Sequence, residues 1–264
     1  YHLLFNDYSF RSDAILNILC NFRKFYDWAF LTATPLNENF ILNELEDVDQ
    51  ITYEWPQATR VNIQIKDTAF IQRELIRVIS SYPSRNLHIF LNSVSTIRTI
   101  IKRLDTYDFR VVCSSKQKGK IRHCRPITSP VQKLNFYTSC SFEGCDIYDE
   151  NGMTVILSDT YIATTILDIS TKVKQVCGRI RNSKYKDECI LILNTKLHRY
   201  ANVPKNKFEE FANKNEHKGR ERINMLSTCS EMNYLTEYEL YSQNKIGYNN
   251  LYVNFFNSKF FYDD

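Results

Sequence analysis

Apolar residues run along the first two hundred positions in two rhythms, one of helical spacing and one of strict alternation, and the changes between them mark out the elements. Ile15, Leu16, Leu19, Phe22 and Phe25 keep helical spacing and predict a helix over residues 13–25, with Ser12 or Asp13 able to cap its start. A short apolar strand is expected at residues 28–31. It must end at Thr32-Ala-Thr-Pro35, because proline has no donor N–H and restricts the residue before it. A short acidic helix at 41–47 and a strand at 51–55 follow, and Pro56 with its polar neighbours reads as a link between domains.

Beyond Arg60 the alternation becomes regular. Val61, Ile63 and Ile65 alternate as a strand, Ile71, Leu75, Val78 and Ile79 make a helix, and residues 87–91 are a buried strand. Ile97, Ile100, Ile101 and Leu104 form the next helix, and 109–113 the next strand. A short helix over 130–134, strands at 135–138 and 154–157, a long helix over 170–182 and a strand at 189–193 complete the series. Strand and helix alternating in this way predict an α/β fold: a parallel sheet with helices on both faces, whose ligands sit outside the carboxyl ends of the strands. After about Tyr200 lysine, asparagine and glutamate take over, and residues 205–222 read as a solvated helix face. Residues 248–262 are dense in aromatics and asparagine without a clear period.

Composition narrows the classes. At 264 residues and 43% hydrophobic content the chain can build one large core or two modest ones. Its 34 basic and 30 acidic side chains leave a formal charge of only +4, so contact with nucleic acid must come from local patches. The eight cysteines form no C-x-x-C pair and no Cys/His cluster with zinc spacing, which predicts no metal site and free thiols in a reducing cytoplasmic setting. No apolar run approaches the roughly 20 residues that span a bilayer, so no membrane partner is expected. The chain starts at Tyr1 rather than methionine and is expected to be part of a longer protein.

The segment from Gln175 to Arg181 carries the strongest candidate chemistry. On a helix over 170–182, Val173, Cys177 and Ile180 make an apolar stripe while Gln175, Arg179 and Asn182 share another face. Gly178 inside such a helix costs roughly 1 kcal/mol relative to alanine, which points to a backbone or ligand close by. A fixed arginine suits the stabilisation of charge on a transferring phosphate; an ordinary helix with a basic outer face is the alternative. Asn92 and Ser93, just after a strand, can hold a backbone phosphate or simply cap a helix.

Four segments now stand in order: Thr32-Ala-Thr-Pro35, Ile89-Phe-Leu-Asn-Ser-Val94, Thr138-Ser-Cys-Ser-Phe-Glu-Gly-Cys-Asp146 and Gln175-Val-Cys-Gly-Arg-Ile-Arg181. Together they resemble the third to sixth signature motifs of superfamily 2 helicases, over roughly residues 1–195. Tyr1-His2 resembles the tail of that family's Asp-Glu-x-His box. The resemblance implies the tail of a first RecA-like lobe at 1–56, a second RecA-like lobe at 57–196 and an extension at 197–264. It implies that Thr32, Thr34 and His2 couple the lobes, and that Asn92, Ser93, Thr138 and Ser139 contact a nucleic-acid backbone. Gly144, Asp146 and Gly178 would border the nucleotide, with Asp146 near the ribose or the attacking water. Arg179 would be the finger on the γ-phosphate, and Gln175 would position water or touch the nucleotide.

One departure from the family pattern concerns the arginines. Arg179 and Arg181 are two residues apart instead of three, about 200 degrees around a helix rather than about 60, so Arg181 shares the role only if the helix ends or bends there. The implied cofactors are ATP and Mg2+, with their main ligands outside this chain. There is no G-x-x-x-x-G-K-[ST] in the sequence, Lys116-Gln-Lys-Gly-Lys120 being only a basic loop suited to a phosphate backbone, and the Asp-Glu box would lie ahead of Tyr1. The implied partners are single-stranded or duplex nucleic acid, DNA slightly before RNA, and the missing N-terminal lobe; the chain alone is expected neither to hydrolyse ATP nor to unwind a duplex. Two rivals are a non-catalytic nucleic-acid-binding module derived from such a lobe, and an unrelated Rossmann-like transferase. The second needs a glycine-rich loop after an early strand, and among six glycines there is none.

Overall fold

In a computed structural model the described residues are 8–33, 45, 47–54, 60–104, 106, 108–121, 123–167, 169–194, 207, 210, 253–256 and 259–262. The chain divides into two compact units, one of residues 55–167 and 172–201, the other of residues 1–54, 168–171 and 202–264.

The first unit is built on a six-stranded sheet. Its strands are β1 (Asn62–Asp67), β2 (Asn86–Phe90), β3 (Phe109–Val112), β4 (Leu134–Tyr137), β5 (Gly152–Ser158) and β6 (Glu188–Leu193). They lie in the order β1-β6-β5-β2-β4-β3, and every pairing is parallel. This is the α/β architecture that the alternation of the sequence predicts, and it is consistent with a RecA-like lobe. Leu87, Ile89, Val111, Leu134, Phe136, Val155, Ile190 and Ile192 form one buried layer with the apolar stripes of two helices, α2 (Ile71–Ser81) and α3 (Val94–Ile101). Each such side chain contributes roughly 1.5–3 kcal/mol by leaving water. The opposite face of the sheet is buried as well, with Ile156, Cys189 and Leu191 on it, and the short helix α4 (Lys174–Cys177) buries Val176 and Cys177.

That second face carries a polar row. Register places Arg110, Asn135, His88 and Thr154 side by side across β3, β4, β2 and β5, all buried. A hydrogen-bond relay runs off this row. Arg110 Nη2 donates to the Tyr137 hydroxyl at 3.0 Å, and that hydroxyl meets His88 Nδ1 at 2.9 Å. His88 Nε2 meets Asp149 Oδ2 at 2.9 Å. In the neutral imidazole, Nε2 donates to the Asp149 carboxylate and Nδ1 accepts from the Tyr137 hydroxyl. Burial is the main influence on His88 and lowers its pKa, against the pull of Asp149. Burial pushes the Asp149 carboxyl up, but hydrogen bonds from His88, the Asn151 N–H and Asn86 outweigh it and hold it below the carboxylate range. Gly152 fits against this relay, since a Cβ there would lie 2.8 Å from His88 Nε2 and 3.2 Å from Asp149 Cβ.

Three expected elements differ. No helix forms at 130–134, because side chains take the backbone groups that a helix would use. Arg110 Nη1 donates to the carbonyls of Ile127 and Ser129, while Asn135 accepts from the Gln132 N–H and donates to its carbonyl. Residues 28–31 form no strand, and neither do 51–54; among the described residues no neighbouring strand offers them a ladder. In this second unit the helix α1 spans Tyr8–Asn21, starting earlier than its expected cap, and Ile15, Leu19, Phe22 and Leu45 make a small core. The aromatic C-terminal stretch forms an antiparallel hairpin of β7 (Val253–Phe256) and β8 (Lys259–Tyr262). Of the charged run, Lys207 and Glu210 are helical and exposed; the rest of 205–222 and most of 41–47 lie outside the described residues.

Candidate arginine site and sheet edge

The expected helix over 170–182 is shorter than its apolar stripe suggests. A π-turn (Ile169–Val173) leads into α4, which ends at Cys177. The reason is competition for backbone groups. Ile147 donates its N–H to the Arg179 carbonyl at 2.9 Å and accepts from the Arg181 N–H at 3.0 Å, so Ile180 is bridged in parallel to Ile147 instead of continuing the helix. Extended backbone points alternate side chains the same way, which places Arg179 and Arg181 on one side and buried Ile180 on the other. The 200-degree separation drawn from a continuous helix is therefore overturned. The condition for Arg181 to share a site with Arg179, that the helix end first, is met.

The two guanidinium groups stand over consecutive residues of one loop but in different electrostatic company. Arg179 Nη1 donates to the Cys145 carbonyl at 2.9 Å, Nε to the Gln175 carbonyl at 2.8 Å, and Nη2 to Gln175 Oε1 at 3.0 Å. It is half-buried, and among the described residues no carboxylate lies within ion-pair distance of it. Arg181 Nε pairs with Asp146 Oδ1 at 2.7 Å, with both side chains substantially exposed. Gln175 thus orients Arg179 by its side chain. Burial raises the Cys145 thiol pKa, and the Arg179 charge partly opposes that.

The glycines behave unequally. Gly144 turns the loop with φ of 69°, a left-handed conformation that favours glycine. Gly178 is not crowded: a Cβ there would meet only carbonyl oxygens at 3.7 and 3.8 Å, so no backbone of the described chain comes close enough to require it.

At the carboxyl edge of the sheet the candidate contacts are drawn together. Connections leave β2 toward β3 and leave its neighbour β5 toward β6, so the crevice between those two strands is the switch point where α/β ligands bind. Asn92 closes over it, donating from Nδ2 to the Thr164 carbonyl at 2.8 Å while its Oδ1 accepts from the Ser139 N–H at 3.1 Å. Ser93 is a helix cap: its Oγ accepts from the Thr96 N–H at 3.2 Å. Thr138 is buried with its hydroxyl on the Val112 carbonyl at 3.4 Å, whereas the Ser139 side chain is exposed. Thr32 is half-buried and in no helix or strand, and it lies in the other unit; Thr34 and His2 fall outside the described residues.

Sequence reasoning missed a second clamp at this edge. Asn194, the residue after β6, accepts the Thr160 N–H at 2.7 Å and donates to Asp159 Oδ1 at 2.9 Å. The signal was present, since a polar residue directly after an apolar strand marks the edge where ligands bind. For the expected cofactors, Arg179 offers a cation to a phosphate. No group of three or more metal-ligating side chains occurs among the described residues.

No protein-family model matches the chain, and no curated protein matches it. No helix among the described residues is long and apolar enough to cross a membrane.

Proposed function

We propose that this chain is the second RecA-like lobe, with flanking segments, of a superfamily 2 nucleic-acid helicase or translocase. It supplies the arginine half of a split ATP site and part of a single-strand binding surface. The observation that carries the reading is Arg179: a guanidinium held by three hydrogen bonds to neutral acceptors, with no carboxylate beside it among the described residues. Such a charge is positioned in advance and gains most from an anion brought to it.

Residue by residue, the proposal uses what each group can do. Arg179 is aimed by Gln175 and the Cys145 carbonyl and stabilises phosphate charge. Arg181, tied to Asp146, adds a second cation only if that pair opens. Asn92 and the loop from Thr138 to Asp146 connect the arginines to the sheet edge, so a strand gripped at Ser139 and Asn92 would shift the loop that holds Arg179. ATP bound at the complete site supplies the phosphoryl group whose transfer drives the cycle. A partner lobe with a P-loop holds its phosphates.

The test is steady-state ATPase of the full-length protein with and without single-stranded DNA. Arg179→Ala is expected to lower kcat about 10³-fold or more, the magnitude of a lost arginine finger. Arg181→Ala should cost much less. Unchanged turnover in Arg179→Ala overturns the assignment, and strand binding by a full-length protein without ATPase activity moves the reading to the non-catalytic module.

A further inference from the structure

Cys113, at the end of β3, and Cys124 lie across the basic loop of residues 114–123, and their sulfurs approach to 3.1 Å. Backbone bonds hold them there. Val111 donates to the His123 carbonyl at 3.0 Å and accepts from the Arg125 N–H at 2.8 Å, clamping Cys124 beside the strand that ends in Cys113. A disulfide has a sulfur separation of about 2.05 Å, so forming one would draw the two sulfurs about 1 Å closer. Cys113 is buried and Cys124 partly exposed. The loop between them exposes Lys116, Lys118 and Lys120, and Arg125 is exposed just beyond.

We propose that Cys113 and Cys124 are a modification site, a thiol pair that exchanges with an anionic low-molecular-weight disulfide of the glutathione class and closes an intrachain bridge around the basic loop. Cys124, the more accessible, attacks first. Its sulfur bonds to one sulfur of the small disulfide, whose S–S bond breaks and releases one thiolate. The Cys113 sulfur then attacks Cys124 Sγ and expels the second. Two cysteine protons end on two small thiols; the pair is oxidised and the small disulfide reduced. Burial, with the neighbouring Cys124, pushes the Cys113 thiol up to about 12, while Lys118 favours its thiolate. Cys113 is thus slow to attack from outside and suited to the second, intramolecular step. The lysines concentrate an anionic reagent over the pair.

The reduced chain is treated with oxidised glutathione, alkylated and mapped by mass spectrometry. The expected product lacks two hydrogens, carries a Cys113–Cys124 link and retains no glutathione. Cys113→Ser should trap glutathione on Cys124, and Cys124→Ser should slow thiol loss from this region by at least about tenfold. Raising salt from about 20 mM to about 0.5 M should slow oxidised glutathione several-fold and not slow the cationic cystamine. Retained glutathione without the link, or a Cys113–Cys140 link in its place, overturns the pair; equal salt responses overturn the anion preference.

Discussion

An arginine beside a carboxylate and an arginine beside carbonyls meet an incoming anion differently, because the first must give up a partner and the second only gains one. The same reasoning separates side chains elsewhere in the chain by their immediate surroundings. Gly144→Ala forces a Cβ into a left-handed turn and should cost about 1–2 kcal/mol, while Gly178→Ala, with room for its Cβ, should be neutral or slightly stabilising. Urea denaturation of the two variants checks the contrast. The Thr154 hydroxyl is buried with no hydrogen-bond partner among the described residues. Thr154→Val removes it at nearly constant shape and should raise the urea midpoint, by an amount corresponding to about 1 kcal/mol. A lower midpoint would mean that the hydroxyl has a partner.

Among the elements, α3 depends on its cap: Ser93→Ala should lower stability by about 1 kcal/mol, read from the urea midpoint, whether or not the position also meets nucleic acid. The inner strands and α2 and α3 were legible because their apolar positions coincide with the faces they bury, as Ile71, Leu75 and Val78 do; β1 alternates as expected, yet its Ile65 is exposed. What periodicity could not reveal is competition for backbone groups. An unbroken apolar stripe through Val173, Cys177 and Ile180 predicts a helix, but Ile147, some thirty residues earlier, takes the carbonyl and N–H that the helix would need. The helix expected at 130–134 fails for the same reason, with Arg110 and Asn135 as the competitors. Residues 28–31 have a strand's composition, but composition says nothing of a neighbour to pair with. In the candidate site, residue types were legible and their company was not: that Asp146 pairs with Arg181 follows only from the bridge between Ile147 and Ile180.

For the whole molecule, the buried relay makes stability depend on pH. His88 is held below its ordinary value near 6.5, so between that pH and its folded-state value the unfolded chain binds the extra proton and gains. Stability from this group is present above about pH 6.5 and is lost as pH falls below it. Asp149, also held low, adds stability that is lost only in stronger acid, below its ordinary 3.8. The urea midpoint should therefore fall between about pH 7 and pH 5. In His88→Asn that slope should flatten, from a lower starting value. On the same scale, the 264-residue chain should show no ATP turnover in a coupled assay, since it contains no P-loop. Gly152 sets a rule for how this chain can vary by descent. A side chain at 152 would collide with the imidazole at 88, so position 152 can enlarge only where 88 has made room, and a related sequence with a larger residue at 152 should carry a smaller one at 88.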